Sequence, residues 1–192
     1  CMESLRTLCE DDRQREEVLT NDIGKVFVKV FSRSASDVQL VSTALQLLED
    51  LSFDGTARGD LCDDALVAAL CVTMGRYAQS IPVQRGCVAW LRLMTVEDYT
   101  LEYVATPAVV KALLASLRNC SLNQSIVNDS YQALAALSSK PEMVEVMNNE
   151  KAGPFLEQLN EKSGSVKTVA ALNVLRTVLR MKEKKRKHHH HH

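Results

Sequence analysis

The sequence predicts an all-α fold made of tandem helical repeats, each about 43 residues long. The composition favours helix over sheet, because leucine, alanine and valine dominate an apolar fraction of 46% whereas aromatic residues make up only 5%. The repeat itself shows as four wholly apolar columns in register. They are Val18, Leu61, Val104 and Met147; Ile23, Leu66, Val109 and Ala152; Val26, Ala69, Ala112 and Phe155; and Phe27, Leu70, Leu113 and Leu156.

A second apolar pattern comes later in each unit and predicts its longest helix. A pair of adjacent small or apolar residues is followed by further apolar residues at the spacing that forms one stripe along a helix. The runs begin at Cys1, Ala44, Cys87, Ser130 and Ala171.

Each full repeat is therefore predicted to hold three helices. All four prolines fall in the first turn of a predicted helix, where the missing N–H costs nothing. The short first helices span residues 12–20, 56–63, 97–105 and 141–149; the second helices 23–32, 64–77, 107–118 and 152–159; and the third helices 37–53, 82–95, 124–138 and 166–182.

These helices group into one array over residues 1–182. Residues 1–11 form the third helix of a truncated repeat, and the full repeats cover about 12–54, 55–96, 97–139 and 140–182. Residues 183–187 are a basic tail, and the terminal histidines 188–192 are a purification tag. Since the chain opens at Cys1 in the middle of a repeat, we expect it to be a piece of a longer protein.

Two segments resemble the armadillo repeat family. Residues 142–147 with 152–156 resemble the turn between the first and second helices of an armadillo repeat, and residues 44–51 resemble its third helix. The resemblance covers nearly the whole chain and implies an α-α superhelix. HEAT repeats, with two helices per unit, are the nearest alternative.

Catalytic chemistry finds little support in the residues present. The only histidines belong to the tag, so Ser-His-Asp, Cys-His and most zinc sites are excluded. None of the six cysteines forms a C-x-x-C pair, and no glycine-rich phosphate loop occurs. We expect no catalytic residue, cofactor or metal; a reactive thiol is the one remaining route to an enzyme.

The resemblance implies a groove lined by third helices, in which repeated Trp and Asn residues hold an extended peptide. The equivalent columns here are Gln46, Ala89, Gln132 and Asn173, and Asp50, Leu93, Ala136 and Thr177, so that pattern is missing. Side-chain amides can still pair with a peptide backbone, and we expect Leu93 to seat one apolar side chain. The candidate partner-binding residues are Gln46, Asp50, Arg85, Leu93, Asn128, Gln132 and Asn173; the alternative is that they are simply solvated.

The single tryptophan has two interpretations. Trp90 lies on a third helix beside the apolar stripe, so it either packs between repeats or contacts a partner.

We therefore expect a non-enzymatic scaffold or adaptor that binds a protein or extended peptide. The alternative is a structural spacer or oligomerisation array within a longer tubulin- or myosin-associated protein, so the expected location is the cytoplasm, including the cytoskeleton. Self-association through the truncated N-terminal face, and contact of the basic tail with an acidic surface, stay open. Outside the tail the chain is mildly acidic, which disfavours nucleic acid, and no apolar run is long enough to span a membrane.

Overall fold

The computed structural model describes residues 23–33, 36–159 and 165–182, and the regular elements in these ranges are all α-helices. This confirms the predicted all-α class. The predicted helices 1–11 and 12–20 lie outside the described residues, as do the basic tail 183–187 and the tag.

The described helices follow the predicted order of second, third and first helix along the chain. Their bounds lie within a few residues of the predicted ones, except at the end of the last helix. They are α1 (Ile23–Arg33), α2 (Val38–Ser52), α3 (Gly55–Leu61), α4 (Asp64–Arg76), α5 (Ile81–Met94), α6 (Asp98–Val104), α7 (Pro107–Asn119), α8 (Gln124–Leu137), α9 (Pro141–Asn149), α10 (Ala152–Leu159) and α11 (Val166–Val178).

Short polar side chains cap the start of three of the four described third helices; Ser80, before α5, makes no side-chain capping bond. Asp37 caps α2 by accepting a hydrogen bond from the backbone N–H of Leu40 at 3.0 Å. Asn123 and Ser165 cap α8 and α11 in the same way. Each cap pairs a backbone N–H that has no partner within its own helix, so helices in neighbouring repeats begin at equivalent positions.

Helices at equivalent positions pack against one another. The third helices make successive contacts, α2 with α5, α5 with α8 and α8 with α11. The second helices do the same, α1 with α4 and α4 with α7, and the first helices α3 and α6 also touch. A buried apolar core that runs from Ile23 to Met181 joins these rows of first, second and third helices.

A glycine allows a close approach between α2 and α5. A Cβ atom placed on Gly86 would lie 2.9 Å from the Cβ of Leu45. Seven residues further along α2, the hydroxyl of Ser52 accepts a hydrogen bond from the Trp90 indole at 2.9 Å. Because the contacts advance along both helices together, α2 and α5 run in the same direction.

We expect Gly86→Ala to destabilise the chain by roughly 1–2 kcal/mol, although alanine is the better helix former. The overlap with Leu45 involves atoms next to the backbone, which cannot turn aside, and overpacking of this kind outweighs the gain in helix propensity. The matched control is Gly75→Ala in α4, where a Cβ meets nothing within 4 Å. That change should stabilise by up to about 1 kcal/mol. Urea titrations measure both, and equal shifts of the midpoint in the same direction would contradict the close approach.

The last helix ends earlier than its apolar pattern predicts. The sequence predicts helix to residue 182, but α11 ends at Val178 and Arg180 has a left-handed φ of 52°. The chain then turns so that Leu179 and Met181 are buried, with the Leu179 carbonyl and the Met181 side chain each 3.6 Å from a Cβ built on Gly153 of α10. The two apolar residues thus continue the core by leaving the helix, which periodicity alone does not reveal.

Candidate partner-binding site

The site is built on the sides of the third helices that face away from the core. Each of these helices buries one stripe, such as Ala44, Leu45 and Leu48 in α2, and this leaves its polar side uncovered. We use the name polar ladder for six of the predicted residues: Gln46, Asp50, Arg85, Asn128, Gln132 and Asn173.

On α2, two members of the polar ladder are exposed and bonded to each other. The Gln46 amide donates to a carboxylate oxygen of Asp50 at 3.1 Å. They are one helical turn apart, so the contact needs no distortion of the helix. Each keeps further lone pairs or N–H groups for a partner.

On α5, Arg85 is exposed but Leu93 is not available as predicted. Leu93 is only 8% exposed and belongs to the core. The start of α6 closes on this end of α5, where the hydroxyl of Thr100 donates to the carbonyl of Met94 at 2.7 Å. The expectation that Leu93 offers an open apolar seat is therefore wrong.

On α8 and α11, the polar ladder also joins the two helices. The side-chain oxygen of Asn128 accepts from Gln124 on its own helix and from the Thr168 hydroxyl of α11, both at 2.8 Å. Gln132 is half-buried. Asn173 is exposed, and its side-chain oxygen accepts from Arg176 at 3.1 Å.

Three charged residues that the sequence analysis did not select lie at the centre of this surface. Arg92 of α5 forms an ion pair with Asp129 of α8, with 3.2 Å between Nε and Oδ1. Glu49 of α2 lies within electrostatic range of both, and also of Arg85. A signal was present in the sequence, since Glu49 and Arg92 occupy equivalent positions one repeat apart and have opposite charge.

Partial burial changes the acidity of the two carboxyls in this cluster. The pKa of Glu49 is raised, chiefly by burial, although the nearby Arg85 opposes the shift. The pKa of Asp129 is also raised by burial, against the effect of Arg92. Both carboxylates have given up part of their water, so a cationic or N–H donor from a partner would meet poorly solvated oxygens.

The structure decides between the two interpretations of Trp90. Its side chain is fully buried between α2 and α5, with the indole N–H bonded to Ser52. Trp90 therefore packs between repeats, and a partner cannot reach it in this conformation.

The four cysteines in the described part of the chain give no support to the one enzymatic route that the sequence left open. Burial raises the pKa of Cys62 to about 12 and that of Cys71 to about 11, and it also raises the pKa of Cys87 and Cys120. A thiol reacts as the thiolate, which is scarce at neutral pH for these four residues. In the described part of the chain, no group of three or more metal-binding side chains comes together.

No protein-family model, curated protein or solved structure is significantly similar to this chain. Within the described ranges, no single helix is long and apolar enough to cross a membrane; one bent pair, α6 with α7 at 79°, meets the requirement by length and composition only.

Proposed function

We propose that the chain is an armadillo-type repeat array that acts as a non-enzymatic scaffold and binds a partner peptide or protein across its third helices. The observation that carries the proposal is the side-by-side packing of α2, α5, α8 and α11, with hydrogen-bonding side chains on their uncovered sides. Repeated helices presented in this way form a continuous surface.

The spacing of the polar ladder suits an extended peptide. Packed helices lie about 10 Å apart, and an extended chain advances about 3.3 Å per residue. Roughly one partner residue in three would then meet each third helix. Amide side chains such as Gln132 and Asn173 both donate and accept, so they can replace the water that a peptide backbone loses on binding.

The test is a selection of 12-residue peptides from a random displayed library, followed by affinity measurements on the enriched sequences. We expect the triple variant Arg85→Ala, Gln132→Ala, Asn173→Ala to weaken binding tenfold or more, because each lost hydrogen bond contributes about 0.5–1.5 kcal/mol. Thermal stability should change little, since these residues lie outside the core.

The matched control removes one cation and two amides from the second helices: Lys29→Ala, Asn119→Ala and Gln158→Ala, all exposed. It should leave peptide affinity unchanged. A loss of binding in the control, or full affinity in the ladder variant, would place the partner on another surface. Failure to enrich any peptide would favour a structural spacer.

A further inference from the structure

Four large apolar side chains are exposed on α6 and in the turns that lead from the third helices into α3 and α6. Phe53 follows α2 directly and Val96 lies two residues after the end of α5. Each keeps about three-fifths of its surface in water, at 62% and 61%. Tyr99 and Tyr103 lie one turn apart on α6 and are also exposed. We use the name acidic corner for the surface formed by residues 53–62 and 96–105.

Contacts between α3 and α6 hold the acidic corner in one arrangement. The Tyr99 hydroxyl donates to the carbonyl of Gly55 at 3.0 Å. The Tyr99 ring covers Gly59, where a Cβ would lie 3.0 Å from a ring carbon. Arg58 pairs with Glu97 at 3.3 Å. Since Phe53 precedes Gly55 by two residues and Val96 precedes Glu97 by one, the exposed apolar groups lie close to these fixed points.

The repeat pattern does not require apolar residues here. The positions equivalent to Phe53 and Val96 in the next two repeats are Ser139 and Arg180. Ser139 turns its hydroxyl to a backbone carbonyl of its own repeat, and Arg180 is exposed. The exposed apolar pair therefore belongs to two repeats only and is not a consequence of the fold.

Carboxylates are the prevailing charged groups in the two segments that carry the apolar side chains. Over residues 54–62 and 97–105 the sole cation is Arg58, which is buried and already paired with Glu97. A surface of this sign repels anionic lipid and nucleic acid and attracts cations. The acidic residues are Asp54, Asp60, Glu97, Asp98 and Glu102.

We propose that the acidic corner binds a basic amphipathic segment of a partner protein. Apolar side chains of the segment cover Phe53, Val96 and the tyrosine rings, which gains contact area without ordering flexible groups. Lysine or arginine residues beside them meet the carboxylates of the acidic corner, which sets orientation and speeds association. The site uses α3 and α6 in place of the polar ladder, so it stands independently of the proposed function.

The experiment uses three synthetic 14-residue peptides as probes: one of alternating lysine and leucine clusters at helical spacing, one with each lysine changed to glutamate, and one with each leucine changed to serine. Fluorescence anisotropy measures their affinity for the full chain at low and at physiological salt. We expect the basic amphipathic peptide to bind at least tenfold more tightly than either of the other two, with an affinity that falls as salt rises.

Two pairs of variants locate the binding. The double variant Phe53→Ser, Val96→Ser should weaken binding of the basic amphipathic peptide tenfold or more. The double variant Asp60→Asn, Glu102→Gln should also weaken this binding and reduce its dependence on salt. The matched controls change exposed residues elsewhere, Leu122→Ser with Val166→Ser and Glu142→Gln with Glu145→Gln, and should leave binding unchanged. Thermal melts check that all four variants fold.

Several results would overturn the proposal. They are the absence of measurable binding, equal binding of the acidic peptide, or equal losses in the control variants. A different occupant, the basic tail of a second copy, is tested by the variant Lys184→Gln, Lys185→Gln, Arg186→Gln, Lys187→Gln. If that variant binds the peptide more tightly and self-associates less in sedimentation, the corner is filled by the tail and not by a partner. The triple variant of the polar ladder should not change the affinity for the basic amphipathic peptide. The two proposals can therefore fail separately.

Discussion

Replacing Trp90 with alanine is expected to lower the free energy of unfolding by about 3–5 kcal/mol. The side chain is fully buried between α2 and α5, so its removal leaves a cavity that the packed helices cannot fill without moving. A loss of this size is a fifth or more of the stability of an ordinary domain, which is about 5–15 kcal/mol. Urea unfolding followed by far-ultraviolet circular dichroism measures it, since the variant has no tryptophan to report by fluorescence.

A double-mutant cycle separates the hydrogen bond of Trp90 from its packing. The indole donates to Ser52, whose hydroxyl in turn donates to the carbonyl of Leu48 at 2.6 Å. Ser52→Ala should cost about 1–3 kcal/mol because it leaves the buried indole N–H without its partner. The same change in a Trp90→Phe background should cost clearly less. Equal costs in the two backgrounds, or a wild-type midpoint for Trp90→Ala, would contradict this buried pair.

Replacing Leu93 with aspartate is expected to destabilise the chain by about 3 kcal/mol or more, because the change removes apolar contacts and places a carboxyl in the core. Leu93→Met is the volume-matched control and should cost less than about 1.5 kcal/mol. Gln132→Ala, on the half-exposed side of α8, should stay within about 1 kcal/mol.

The pH dependence of Leu93→Asp gives an independent test. Burial should raise the folded-state pKa of the new carboxyl above its unfolded value. The folded state then holds its proton more tightly than the unfolded state does. The variant therefore loses stability relative to the wild type as pH rises from the unfolded-state pKa through the folded-state pKa. The deficit should be smaller at pH 4 than at pH 8. A deficit that is independent of pH, or below about 1 kcal/mol, would show that Leu93 is solvated after all.

The helices could be predicted from the sequence because the buried positions recur at the repeat length of about 43 residues. The third-helix stripe that begins at Ala44 returns at Cys87, Ser130 and Ala171, and all four of these residues are buried. The end of α11 could not be predicted in this way. Leu179 and Met181 satisfy a helical pattern and are buried, yet they reach the core from a turn at Arg180.

The candidate site was predicted less well than the fold. Position along a helix fixes the direction of a side chain, whereas its burial depends on which neighbouring element lies over it. Asp50 and Leu93 occupy equivalent positions, but one is exposed and the other is covered. The ion pair of Arg92 with Asp129 joins positions that are not equivalent, so the column that holds Glu49 and Arg92 does not predict Asp129 as the partner.

The hydrogen bonds that fix side chains of the polar ladder to neighbouring residues affect how tightly the ladder can bind a partner. Asn128 is fixed by Gln124 and Thr168, and Asn173 by Arg176, before any partner arrives. Ordering a long side chain costs about 0.5–1.5 kcal/mol on association. Here much of that conformational entropy is already lost on folding, so the surface is preorganised. The same bonds restrict which partner geometries the amides can accept, so affinity gained in this way comes with selectivity and not with breadth.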